Sequence, residues 1–178
     1  RLHPFFERGT DVDVILDLMI HDLDVILHFV KSPVAAIDAV GVSVLSEMVD
    51  IANVRLKFAS GCVANITASR VTGKTLQKIR FFGIDGYHAV DYNKRDLVSL
   101  SKKISDSGRL DIFSNAVEVC QHDPLEAEIR SFVAAVQNGA RPVVSGEDGR
   151  NALDLALNIA REIKKAKDEI LLSIQHGK

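Results

Sequence analysis

The stretch Ala52-Asn53-Val54-Arg55-Leu56-Lys57-Phe58-Ala59-Ser60-Gly61-Cys62-Val63-Ala64-Asn65-Ile66-Thr67 decides how the rest of the chain is read. Ala52, Val54, Leu56 and Phe58 alternate with Asn53, Arg55 and Lys57, the period-two pattern of a strand that buries one face and wets the other. Ser60-Gly61 turns the chain, and Val63 to Thr67 returns as the partner strand of a hairpin. Further strand candidates are Ala36 to Val44, Lys78 to Phe82, His88 to Tyr92, Leu97 to Leu100 and Leu110 to Val119. Connections of hairpin length make the sheet largely antiparallel.

On either side of this block the period is helical. From Asp11 to Val30 the apolar residues are too many for a helix with one wet face, which predicts a nearly buried helix. Thr10 or Asp11 suits its N-cap, and Ser32-Pro33 closes it. After the strands, Asp123-Pro124-Leu125-Glu126 combines a capping Asp, Pro at the first helical position and Glu three residues on. Ile129, Phe132, Val133 and Val136 form the stripe of that helix, and Gly139 ends it. Ser145 with Asp148 opens a last helix, whose Ala152, Leu155, Ala156, Ile159 and Ile163 share a face and whose Lys164, Lys165 and Lys167 suit its C-terminal end. The order of helix, strand block and two helices predicts an α+β domain: an open, largely antiparallel β-sheet with helices packed on one face.

The chain has 178 residues, 47% of them hydrophobic and 26% charged, the balance of a globular domain and not of a disordered segment. This length fits one domain of about 100 to 200 residues, read as residues 1–178 together. A net charge of -2 lacks the basic excess that carries non-specific nucleic-acid affinity. Cys62 and Cys120 have neither the density of a disulfide framework nor zinc-site spacing. No apolar run is long enough to span a membrane, and residues 1–10 lack the apolar core of a secretion signal, so a cytoplasmic location is expected. The chain begins at Arg1 without an initiator Met and reads as part of a longer protein.

The first helix carries the candidate chemistry. At about 100° per residue, Asp13, Asp17, His21, Asp24 and His28 fall within an arc of about 80° on an otherwise apolar helix. Three readings fit this seam. It is the solvent edge of the helix, or Asp17 and His21 share a metal ion at i, i+4 in a metal-dependent isomerase or hydrolase, or a histidine oriented by a carboxylate moves a proton near neutral pH. His88, His122 and His176 belong to no comparable group and read as structural or exposed.

The string Asp17-Leu18-Met19-Ile20-His21-Asp22-Leu23-Asp24 resembles the Asp-x-x-x-His motif in the C-terminal domain of the glucose-fructose oxidoreductase and inositol dehydrogenase (Gfo/Idh/MocA) family. Gly83-Ile84-Asp85-Gly86 after Lys78 to Phe82 is similar to that family's strand-turn element, and Pro142-Val143-Val144-Ser145-Gly146-Glu147-Asp148-Gly149 to the entry of its last helix. The resemblance implies that His21 is the catalytic histidine and Asp17 the acid one turn before it. It also implies an NAD or NADP cofactor held by an N-terminal Rossmann domain that carries the catalytic lysine. No Gly-x-Gly-x-x-Gly occurs in this chain, so that nucleotide-binding half is expected to be missing here and the chain alone to be inactive. Met19 stands where many members have Gly.

Residues 1–10, Arg1-Leu2-His3-Pro4-Phe5-Phe6-Glu7-Arg8-Gly9-Thr10, resemble the branch of the family acting on nucleotide-activated amino sugars. Arg1 and Arg8 are candidates for a diphosphate, and Arg70, near Lys74, for the same anion. The function implied is the substrate-binding and catalytic half of an NAD(P)-dependent oxidoreductase acting on a sugar or nucleotide-sugar hydroxyl. The alternative is a sheet-mediated assembly module, since a sheet covered by helices on one face leaves the other for a second subunit. Both partners are expected together: a sugar-type substrate and a second copy of the chain.

Overall fold

The computed structural model describes residues 1–6, 11–84, 86–104, 110–117, 119 and 123–176, and its class is α+β with every paired strand antiparallel to its neighbour. Arg8, Thr10, Asp85, Glu118, Cys120 and His122 lie outside the described residues. The strands β1 (Val34–Val42), β2 (Ile51–Phe58) and β3 (Val63–Ser69) form one sheet, and β4 (Lys78–Phe82), β5 (Gly86–Asp91), β6 (Asp96–Ile104) and β7 (Leu110–Val117) form another. A single open sheet was the expectation. Residues 1–3 pair with the end of β3: His3 N–H donates to Ser69 O at 2.8 Å and Ser69 N–H to Arg1 O at 3.0 Å.

The chain divides into two compact units, residues 1–75 with 143–178, and residues 76–142. In the first, register places Ile37, Ala39 and Gly41 of β1 beside Leu56, Val54 and Ala52 of β2, and these beside Ala64, Ile66 and Ala68 of β3. This is the alternation read from the sequence, and it makes one face of the sheet apolar. A π turn (Ile15–Met19), α1 (Ile20–Val30) and α3 (Gly146–His176) cover that face. Ile15, Met19, Leu23 and Ile26 from the first helix, and Ala152, Leu155, Ala156, Ile159 and Ile163 from the last, complete the core. At about 25 cal/mol per Å², this shared apolar burial is the main favourable term holding the helices to the sheet.

Gly41 marks the closest approach. A Cβ built there would stand 2.8 Å from Val49 Cγ1 and 2.9 Å from Ile163 Cγ2, inside van der Waals contact with two branched side chains of a packed interior. Gly41→Ala is therefore expected to lower unfolding free energy by about 1–3 kcal/mol and Gly41→Val by more, read as a drop in the denaturant midpoint.

The first helix is less buried than its apolar content predicts. Only one stripe points inward, and Phe29 is 63% exposed, because the sheet and α3 cover it from one side. Asp13 caps it, with Oδ1 accepting from Ile15 N–H at 3.0 Å and Leu16 N–H at 2.9 Å. The sequence pattern favours Thr10 or Asp11 for that role and puts Asp13 in the polar seam; the fold starts the helix later and takes Asp13 as its cap. At the other end Lys31 adopts a left-handed conformation and donates to Leu27 O, ahead of Ser32-Pro33. The last helix starts as expected, Ser145 donating from N and Oγ to Asp148 Oδ2 at 2.8 and 2.6 Å.

In the second unit β4 to β7 follow one another as a meander. Asp91 closes the turn to β6 by accepting from Asn93 N–H and Lys94 N–H, both at 3.1 Å. Lys78 Nζ stands 2.9 Å from its other oxygen, and this contact holds the Asp91 carboxyl below its usual value against the opposing effect of burial. The helix α2 (Pro124–Gln137) has the expected cap, Asp123 accepting from Leu125 N–H at 2.8 Å, with Pro124 at the first position.

Candidate active site

The candidate site is built on the side of the first helix opposite its core stripe. Asp17 lies in the π turn and His21 one turn later, and both are exposed. No hydrogen bond joins the two among the described residues. The π turn pairs i with i+5, Ile20 N–H reaching Ile15 O, so the constant angular step of an α-helix fails before Met19 and the aspartates there are rotated relative to His21. Met19 itself is fully buried, so it affects the packing beneath the helix and not its open face.

Asp24 and His28 continue the seam to a groove of about 620 Å³ between α1 and the start of α3, lined also by Phe29, Lys31, Asp148 and Asn151. His28 meets Phe29 edge-on, ring centroids 5.8 Å apart. The seam thus has two stations, Asp17 with His21 and Asp24 with His28. Among the described residues no three His, Cys, Asp or Glu side chains converge as metal ligands would.

Asp22, next to His21, points the other way. Its Oδ1 lies 3.1 Å from Arg1 Nη2, both side chains being largely shielded. Arg1 is thereby held beside the helix that carries His21, with its charge balanced by Asp22. Arg70, expected as an anion ligand near the sheet edge, is instead interior. It is 4% exposed, its Nε lies 3.0 Å from Asp50 Oδ1, and its Nη2 donates to the carbonyls of Val12 and Val49. Only Arg1 of the three expected arginines is described near the candidate site.

Sequence reading missed Asp50. It is wholly buried, and its Oδ2 accepts from the N–H groups of Val44, Leu45 and Ser46 at 2.7, 2.6 and 2.9 Å while Ser46 Oγ donates to Oδ1 at 2.7 Å. Burial alone would raise this carboxyl, but the Ser46 hydroxyl and the three backbone donors outweigh it and hold it well below the carboxylate range. The signal was present as a lone acid between Val49 and Ile51 at the start of a strand.

Residues 3–88 match the family profile described as GFO/IDH/MocA C-terminal domain, and similarity to the relatives below extends over most of the chain. Among its relatives is the UDP-N-acetylglucosamine 3-dehydrogenase of Acidithiobacillus ferrooxidans, 36% identical over 161 residues that cover 89% of this chain and 51% of the relative. The myo-inositol 2-dehydrogenase of Thermotoga maritima is 31% identical, covering 86% of this chain and 48% of the relative. A solved structure of the Acidithiobacillus ferrooxidans enzyme superposes with a TM-score of 0.81 at 34% identity, covering 89% of this chain and 50% of that one. Levoglucosan dehydrogenase in complex with NADH and L-sorbose shares the fold, with a TM-score of 0.77 at 16% identity over 92% of this chain and 54% of that one. This chain spans about half the length of the curated relatives it matches.

Proposed function

We propose that this chain supplies the substrate-binding and proton-accepting half of an NAD(P)-dependent oxidoreductase that oxidises a hydroxyl of a sugar or nucleotide sugar. The observation that carries the reading is the pair Asp17 and His21, one turn apart on the open face of a helix whose other face is core, within the residues that match the family profile. A ring nitrogen of His21 takes the hydroxyl proton as the hydride leaves the same carbon, and Asp17 orients the imidazole or binds the sugar. A nicotinamide, when bound, would supply the hydride acceptor. The residues of this chain do not fit its phosphates, since they contain no Gly-x-Gly-x-x-Gly loop, so their own contribution is at the proton and substrate end.

The relative named for UDP-N-acetylglucosamine favours a nucleotide sugar as substrate. Arg1 would meet the diphosphate by exchanging its partner Asp22, and Arg8 would join it. Arg70 is left out of this role by its burial. The test is substrate-dependent reduction of NAD⁺ or NADP⁺ by the full-length protein on nucleotide sugars, free sugars and inositols. Turnover on a nucleotide sugar is the expected result, and none on any of these polyols would overturn the reading.

A second role has its own observation. The face of the first sheet turned away from the helices carries Val40, 60% exposed, with Val42 and Val63 beside Asn53, Arg55, Lys57, Asn65 and Thr67. On it Thr67 donates to Asn53 at 2.8 Å and Arg55 to Asn65 at 3.1 Å, a mixed surface with exposed valines that suits a contact between two copies. Sedimentation of the full-length protein is expected to show an oligomer, shifted toward monomer by Val40→Glu with Val63→Glu. A strict monomer at high micromolar concentration would remove this role.

A further inference from the structure

Behind the open face of the first helix lies a second polar cluster, wholly interior, that no step above uses. Asp50 and Arg70 are 0% and 4% exposed, and their contacts run to the beginning of that helix. Arg70 Nη2 donates to Val12 O and, at 3.2 Å, to Val49 O. Val14 N–H donates to the same Val49 O at 2.9 Å, and Arg70 N–H to Asp50 O at 2.9 Å. Two backbone positions on either side of the capping residue Asp13 are therefore tied to the β1–β2 loop and to the end of β3. The loop is in turn held to Asp50 by three backbone donors and a hydroxyl.

We propose that Arg70, anchored by Asp50, is a positioning residue for the proton-transfer step: the pair fixes where the helix starts and thereby where the His21 imidazole stands. The proposal rests on the reading of His21 as the proton acceptor. His21 is seven residues beyond Val14, about 10 Å along the helix axis, and the π turn between them leaves the rotation of the later residues dependent on how its first end is held. Sliding or turning that end would break contacts to a buried charge, which has no water to replace them. A planar guanidinium reaches Asp50 and two carbonyls from one fixed fork, and an ammonium keeps the charge without the fork. A catalytic group moved by about 1 Å loses up to about 10²-fold in rate.

Arg70→Lys in the full-length enzyme is expected to lower kcat by roughly 10- to 100-fold with KM changed less than about threefold. Combined with His21→Asn it should cause no further loss, since a residue that acts through His21 has nothing left to position. In the same protein labelled with ¹⁵N-histidine, the ring resonances of His21 should move while those of His88, in the other unit, stay. Asp50→Asn serves as the second variant if Arg70→Lys folds poorly. Equal losses from Arg70→Lys with and without His21, or unmoved His21 resonances, would overturn the positioning role. Unchanged turnover in His21→Asn alone would remove the proton-acceptor reading instead, and the ring resonances would still decide whether the pair positions His21.

Discussion

His21→Asn in the full-length enzyme is expected to lower turnover by roughly 10²- to 10⁴-fold, the usual contribution of a positioned general base, with little change in nucleotide affinity. Asn keeps the approximate size and polarity of the side chain and cannot accept a proton. Because His21 is exposed on the side of the helix away from the core, the change should leave thermal stability nearly unaltered, so the loss can be read as chemistry. Asp17→Asn is expected to lose activity as well, since it removes the carboxylate one turn away. His28→Asn should be mild: it lines the groove at the far end of the seam, about 10 Å along the helix axis from His21. Steady-state kinetics with the three variants separate the possibilities. Equal losses from His21 and His28 would point to a structural seam, and unchanged turnover in His21→Asn would withdraw the assignment.

The largest effect on stability is expected at Asp50. Asp50→Ala leaves Arg70 buried without its carboxylate and strips three backbone donors of their acceptor, which costs about 3–5 kcal/mol by the usual penalty for breaking a buried pair from one side. For a chain of this size that is a fall in Tm of roughly 10 °C. The pH dependence has a definite sign. Since the native carboxyl is held well below its ordinary value, its contribution is fully present above the unfolded value near about 3.9. It declines as pH falls below that, toward the native value. Wild type should therefore lose more stability than Asp50→Asn between about pH 5 and pH 2. Denaturant titrations whose midpoints fall in parallel for both proteins over that range would sink this account.

Local patterns carried much of the fold. The alternation from Ala52 to Phe58 and the return from Val63 are the hairpin of β2 and β3 with the expected inward face, because side-chain direction in a strand depends only on parity. Lys78–Phe82 has the expected bounds, and Asp123 caps α2 as its sequence implied. What depended on distant partners was less legible. Residues 1–3 pair with Ser69 at the end of β3, a contact that no local window contains. The start of the first helix is hard to place because the apolar residues from Val12 to Ile20 give no break at which to begin it, and the π turn has no composition of its own.

For the candidate site, the pairing of Asp17 with His21 on one helix face is legible in a four-residue spacing, whereas the burial of Arg70 is not. A charged residue at a strand end reads as an edge until the fold brings Asp50, from the start of the neighbouring strand, into contact with it. The same limit applies to Arg1, whose partner Asp22 is visible only once the first residues are laid against β3.

The first unit is discontinuous, residues 1–75 and 143–178 with the whole second unit between them, and this orders events during synthesis. The sheet of β1 to β3 leaves the ribosome with only the first helix available to cover Ala39, Val54 and Leu56, and the rest of its cover, Leu155, Ile159 and Ile163 of α3, is made only after the second unit. Closing so long a loop is slow compared with local pairing, and exposed apolar sheet at that stage is prone to association with other nascent chains. A stop codon shortly before residue 146 would thus release a chain with all seven described strands and its first helix but without α3 to complete its core, a natural client for chaperones and proteases.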